Sequence, residues 1–276
     1  MFRKFFKKNK STQQTGKSHA EHRNLFEEYL PLTPEIENKF EAAFDSIFTL
    51  MYEKDQYEKL KNYARNYGSK NIQLGSLTYD NLNWNLLDST DKEQQYRSNE
   101  GEVMIVDSID FDNKIEKGQI ENDMLMYRNW VRDHAAKKSG GLIMCQTISD
   151  DIGIDGYECI IKLPKDETPG MDYVYFLNLN NYQEQKMYKF QVMVAEMNPT
   201  GMRDNISMHP ICEIAGIELF DLMNCYRQDP YDKSYNQGNL MNFSEIEAFD
   251  KYFPYHPLSI IRREIRPKIL GSIKFQ

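Results

Sequence analysis

Two short motifs hold the residue types best suited to chemistry. The first, Thr200-Gly201-Met202-Arg203-Asp204, leaves an alternating apolar segment and leads into a helical one. Thr200 there can cap the helix, and the turn's backbone amides together with the Arg203 guanidinium can hold an anion. The same residues equally suit a structural use, a cap plus an ion pair from Arg203 to Asp204 or Glu196. The second motif is Phe253-Pro254-Tyr255-His256-Pro257-Leu258-Ser259. Its prolines hold Phe253 and His256 in extended backbone. A histidine fixed ahead of a helix bearing Arg262, Arg263 and Arg266 can act as a base or contact a phosphate. Its structural alternative is a helix cap packed beside Tyr255. Asp229 and Asp232, in Asp229-Pro230-Tyr231-Asp232, are the acids an enzyme would add to His256 and Arg203. Such a site requires these residues to converge in one cleft within about 10 Å. For binding, the residues expected to matter are Thr200, Arg203, Asp204, Tyr231, Tyr255 and His256.

Other catalytic patterns are missing from the sequence. Ser259 lies outside any G-x-S-x-G elbow, so nothing supports a hydrolase nucleophile. There is no H-x-x-x-H or H-E-x-x-H spacing and no C-x-x-C pair among Cys145, Cys159, Cys212 and Cys225. The nucleotide loops G-x-x-x-x-G-K-[ST] and G-x-G-x-x-G are absent too, and the reading is of a protein without a metal or cofactor. The acids Asp229, Asp232, Glu245, Glu247 and Asp250 lack the order of a calcium loop and read as a solvated acidic loop.

The elements that position these motifs follow from periodicity. Thr33 and Pro34 open a helix whose stripe is Ile36, Phe40, Phe44, Ile47, Phe48 and Met51. A second helix is expected over 56–67, ended by Gly68. Strands follow over 72–79, 84–87 and 103–106, then a helix over 120–138 stopped by Gly140-Gly141. The series 142–148, 156–163, 173–179 and 187–196 reads as four strands, the last alternating Tyr188, Phe190, Val192 and Val194 with Lys189, Gln191 and Met193. Short links between them imply antiparallel neighbours. Pro210 is expected to open a further helix with the stripe Ile211, Ile214, Leu219, Leu222 and Cys225. The chain then runs irregularly over 227–256 and ends in a short helix after Pro257 and a strand over 269–275.

Charge is uneven along the 276 residues. Seven basic residues against Glu21 give residues 1–23 a charge of +6, and with −8 for the whole chain the remainder carries −14. An acidic body does not suit a nucleic-acid backbone; it suits a basic protein partner. No run reaches the ~18 apolar residues of a membrane span, and no secretory h-region follows the charged start. Within the tail, Phe2, Phe5 and Phe6 share one side of a helical wheel against Lys7, Lys8 and other basic residues, so this segment can rest on an anionic membrane surface. Cys145 and Cys159 sit beside apolar residues, which fits inert core thiols in a reducing cytoplasm.

Residues 139–204 and 229–259 resemble an uncharacterised bacterial protein family through Gly140-Gly141, Gly170-Met171-x-Tyr173, Thr200-Gly201-x-Arg203-Asp204, Asp229-Pro230-Tyr231-Asp232 and Phe253-Pro254-x-His256-Pro257-Leu258-Ser259. The order of elements is also similar, more distantly, to PsbP/DcrB-type sandwiches, which implies a binding or accessory role. The expected architecture is therefore a basic tail over 1–23 and one α+β domain over 24–276, with a mainly antiparallel twisted sheet packed against helices. The expected function is a non-enzymatic cytosolic interaction protein with a basic partner, as an immunity or secretion-accessory protein would be.

Overall fold

The computed structural model describes residues 32–276 except 62–64, 66, 113–118, 150–154, 198–200, 217, 220–221 and 223–225. Phe2, Phe5, Phe6, Lys7, Lys8 and Thr200 lie outside the described residues. The fold is α+β, with a helical N-terminal segment and a large antiparallel sheet.

Helix α1, Pro34–Met51, starts where the sequence signals it. The Thr33 hydroxyl accepts from the Ile36 N–H at 3.3 Å and Pro34 occupies the first turn. Its four-residue spacing buries Phe40, Phe44 and Phe48, each ring contributing roughly 1.5–3 kcal/mol. Helix α2, Lys54–Lys61, follows after a sharp turn. Strands β1, Asn71–Leu74, and β2, Leu77–Asp80, form a hairpin.

The main sheet contains β3 (Asn85–Ser89), β4 (Glu93–Arg97), β5 (Val103–Asp110), β6 (Gly141–Ser149), β7 (Asp155–Pro164), β8 (Met171–Asn181) and β9 (Lys186–Ala195). Its order is β3-β4-β5-β9-β8-β7-β6, and every neighbouring pair is antiparallel. The two-residue period sends Tyr173, Tyr175, Leu177, Tyr188, Phe190 and Val192 into the larger core. The opposite faces of β6–β8 give Cys145, Cys159, Ile161 and Val174 to a second core beneath α3, Gln119–Lys137. Burial pushes the Cys145 thiol up to about 12 and Cys159 well above its ordinary value. Both are free and stand opposite one another across β6 and β7.

Helix α4, Met202–Ala215, leaves β9 and ends at Gly216, whose φ of 66° supplies the left-handed cap. The chain then forms a strap. Its strands β10, Arg227–Gln228, and β11, Met241–Asn242, pair with each other. Between them it crosses the β6 edge, where the Asn239 N–H donates to the Gly140 carbonyl at 2.8 Å. A Cβ at Gly141 would stand 1.8 Å from the Asn239 oxygen, and one at Gly140 would stand 2.2 Å from the Lys162 oxygen. The double glycine is thus required by backbone passing over backbone. Two 3₁₀ segments, Phe243–Glu245 and Glu247–Tyr252, lead to the helical run α5, made of Pro257–Ile260, a π-helical turn Ile261–Ile265 and Arg266–Ser272. Strand β12, Lys274–Phe275, adds to β2.

Three expectations are corrected, and one strand, β4, had no expectation at all. The strand expected over 72–79 is a hairpin, because Gly75 at φ 58° reverses the chain. Strand β4, Glu-Gln-Gln-Tyr-Arg, carries no apolar alternation that would have signalled it. Pro210 lies inside α4 and does not open it; the left-handed Gly201 sets the helix start. The C-terminal strand spans only Lys274–Phe275, since Ile269 is buried from a helix that continues to Ser272.

Candidate functional site

Arg203 lies in the first turn of α4, pointing beneath the strap, and is 2% exposed. Its Nε donates to the Ser244 carbonyl at 2.6 Å and its Nη2 to the Ile246 carbonyl at 3.0 Å. Nη1 donates to Ser259 Oγ at 3.1 Å and lies 2.9 Å from Asp250 Oδ1. The ion pair is therefore with Asp250, neither Asp204 nor Glu196. Arg262 reaches the same Asp250 oxygen at 3.4 Å and the Glu245 carbonyl at 2.8 Å.

A second buried cluster adjoins the first. The Glu245 carboxylate accepts from Lys162 Nζ at 2.7 Å, Tyr173 OH at 2.6 Å and the Asn242 N–H at 2.8 Å. Burial alone would raise the Glu245 pKa. The Lys162 charge and the three hydrogen bonds outweigh it, so the carboxyl sits below its usual range. Asp204 accepts from Asn242 Nδ2 at 2.9 Å and from the Ser244 hydroxyl. Burial first, then the Glu245 charge, raises its pKa.

His256 caps α5: its Nδ1 accepts from the Leu258 N–H at 3.2 Å and lies 3.4 Å from Arg203 Nη1. With Nδ1 committed as acceptor, the proton belongs on Nε2. Burial, then the charges of Arg203, Arg262 and Lys162, holds the imidazole well below its ordinary pKa, so it is neutral at pH 7. The Tyr173 ring meets it edge-on with centroids 5.0 Å apart.

This geometry fixes a pH effect. The unfolded histidine binds a proton near pH 6.5 and the folded one does not, so its contribution to stability is present above pH 6.5 and is lost as pH falls. Between pH 7.5 and 5.5 the native protein should lose about 1.4 kcal/mol more stability than a His256→Asn variant, in which asparagine keeps a capping side chain. Urea unfolding at the two pH values measures this difference, and equal losses would contradict the buried neutral state.

Asp229 and Asp232 stand elsewhere. Arg132 of α3 holds both, at 3.7 Å and 3.3 Å, and the Asp229 carboxylate accepts from the Tyr231 N–H at 3.0 Å. Tyr231 OH accepts from the Cys145 N–H at 2.7 Å while the Arg128 guanidinium covers its ring at 3.9 Å. These residues fasten the strap to the α3 side of the sheet, whereas Arg203 and His256 belong to the opposite core. The structure thus brings Arg203, Asp204 and His256 together but not the two aspartates. The N-cap position of α4 is Gly201, and Glu196 Oε1 accepts its N–H at 2.7 Å.

The expected solvated acidic loop holds for Glu247 and the 42%-exposed Asp232 side chain, whereas Glu245, Asp250 and Asp229 are each 1% exposed. One signal was available. Asn242 followed by Glu245 is a capping-box spacing, and the box is formed. Sequence reading also missed a cleft of about 420 Å³ beside His256, between α1, α2 and the 252–257 turn. Its walls include Tyr52, Met197, Tyr252, Phe253 and the 44%-exposed Tyr255. His256 lines it, and Nε2 has no partner among the described residues. No helix among the described residues is long and apolar enough to cross a membrane.

No protein-family model matches the chain, and no curated protein matches it. Among solved structures, the Saccharomyces cerevisiae Ran-binding protein Mog1p is similar at 9% identity and a TM-score of 0.37, over 54% of this chain and 92% of its own. A mutant of protein Mog1 is similar at 11% identity and a TM-score of 0.37, over 57% of this chain and 94% of its own.

Proposed function

We propose that the chain is a non-enzymatic protein-interaction module whose acidic body receives a basic protein partner at the cleft beside His256. One observation carries this reading. The polar residues Arg203, Ser244, Ser259 and Asp250 are bonded to one another, while His256, whose Nε2 has no partner among the described residues, lines an aromatic-walled cleft. Arg203 is saturated by carbonyls, a hydroxyl and Asp250, so its charge serves the packing of strap on sheet. Tyr is suited to the rim of such a cleft because it joins a large apolar face to a polar tip. An immunity role or a secretion-accessory role both fit a protein that works through a complementary acidic surface.

The test is capture of a partner by the tagged chain from its own cells, with the Tyr255→Ala variant run alongside. The proposal expects one stoichiometric basic protein, released by high salt and depleted at least several-fold with the variant. Capture that is indifferent to both salt and the variant would overturn it.

A further inference from the structure

We infer that the cleft is a receptor for a cationic side chain, arginine or lysine, presented on an extended segment of the protein partner. This rests on the interaction role proposed above and specifies its chemistry. The first support is the cleft wall. Tyr52, Tyr252, Phe253 and Tyr255 surround the space, and aromatic faces attract cations, most strongly where water is excluded.

The second support is Glu196, which lines the same cleft and is 8% exposed. Its carboxylate accepts the N–H groups of Gly201 at 2.7 Å and Met171 at 3.1 Å, yet it forms no ion pair among the described residues. Lys165 Nζ reaches the backbone carbonyl of Glu196, not its carboxylate. Burial accordingly raises the affinity of this carboxyl for a proton. The Lys165 charge offsets the burial of this carboxylate only in part, and a guanidinium or ammonium entering the cleft would offset the rest. Asp250 pairs with Arg203 at 2.9 Å, but the Arg203 charge still acts on His256, so the cationic group is assigned to the Glu196 and tyrosine part of the cleft.

The third support is the extension of the cleft. A smaller cleft of about 210 Å³ shares Phe48, Leu60, Tyr252 and Pro254 with it and adds Asp45, bonded by the Tyr57 hydroxyl, and Glu41, paired with Lys251 at 3.5 Å. The two together suit an extended chain better than a single small molecule. An extended segment exposes backbone carbonyls, and the cleft-lining His256 keeps one ring N–H without a partner among the described residues. The −14 carried by residues 24–276 favours a basic segment over an acidic one.

The probes are capped pentapeptides of alanine with arginine, lysine, leucine or glutamate at the centre. Each is titrated into the full chain with ¹³C-labelled aromatic rings and followed by NMR. The arginine and lysine peptides should shift the Tyr52, Tyr252, Tyr255 and His256 signals saturably, and the leucine and glutamate peptides should not. Glu196→Gln should weaken the arginine peptide about tenfold. Because Glu196 also holds the Gly201 turn, Tyr255→Ala on the exposed rim serves as the second variant and should weaken it several-fold. Equal binding of the leucine peptide, or no shift with any peptide at millimolar concentration, would overturn the inference. If the peptides fail while Tyr255→Ala still depletes a captured partner, the interaction role stands and the cationic anchor falls. If the partner is not captured either, both fall.

Discussion

Replacing Arg203 with methionine should remove about 3–5 kcal/mol from the free energy of unfolding, as breaking a buried ion pair from one side does. The size follows from what is left behind. Asp250 is 1% exposed, and without Arg203 it keeps the longer contact to Arg262 at 3.4 Å and the Ser259 hydroxyl at 3.3 Å. The Ser244 carbonyl loses the Arg203 Nε donor at the same time, while the Ile246 carbonyl keeps the Phe249 N–H at 3.2 Å. Each buried polar group left without a partner costs about 1–3 kcal/mol. Methionine restores much of the side chain's volume, so the loss reports polar groups and not a cavity. A fall in the urea midpoint with unchanged slope would measure it. A loss below about 1 kcal/mol would mean that the Arg203 cluster does not hold the strap to the sheet.

Lys162→Met should have an effect of similar size, about 3–5 kcal/mol at pH 7.5, with a distinctive pH dependence. Lys162 reaches Glu245 from near the C-terminal end of β7, and both are almost wholly buried. With the ammonium removed, the Glu245 carboxyl loses the charge that holds its pKa down, and burial then raises it. An acid whose folded pKa is raised contributes stability at low pH and loses it as pH rises through the folded value. The deficit of the variant relative to the native protein should therefore shrink between pH 7.5 and pH 5. Denaturant titrations at both values test this, and a constant deficit would show that the ion pair is not what Lys162 contributes.

Much of this fold was legible because its strongest signals are local. The alternation in Tyr188, Phe190, Val192 and Val194 placed β9, and similar patterns placed β6 to β8 with antiparallel pairing. Thr33, Pro34 and the phenylalanine stripe placed α1. The polar strand β4 was not legible, since its position comes from pairing with β5 and not from its own pattern. The site was legible only in part. Arg203 and His256, both legible as motif residues, stand 3.4 Å apart, and His256 caps a helix as its structural alternative had it. The acids misled the reading because their partners are remote in the chain. Glu245 meets Lys162 across 83 positions, and Glu158 meets Arg266 across 108. A run of acids looks solvated until tertiary structure brings cations to it. The cleft was invisible for the same reason, as α1, α2 and the 252–257 turn form it jointly.

The same geometry explains why the motifs lie where they do. Gly140 meets Asn239, Tyr173 meets Glu245, Arg203 meets Ser259, and Asp229 meets Arg132. Together they lock one strap to the sheet from both faces.

The most direct test of the interaction account is site-specific photocrosslinking in the cell that makes the protein. A benzophenone amino acid is introduced in place of Tyr255 at the cleft and, separately, in place of the exposed Asp133 on α3. The account predicts one protein adduct from position 255 and none from position 133. An adduct from position 133 alone, or none from either, would contradict it.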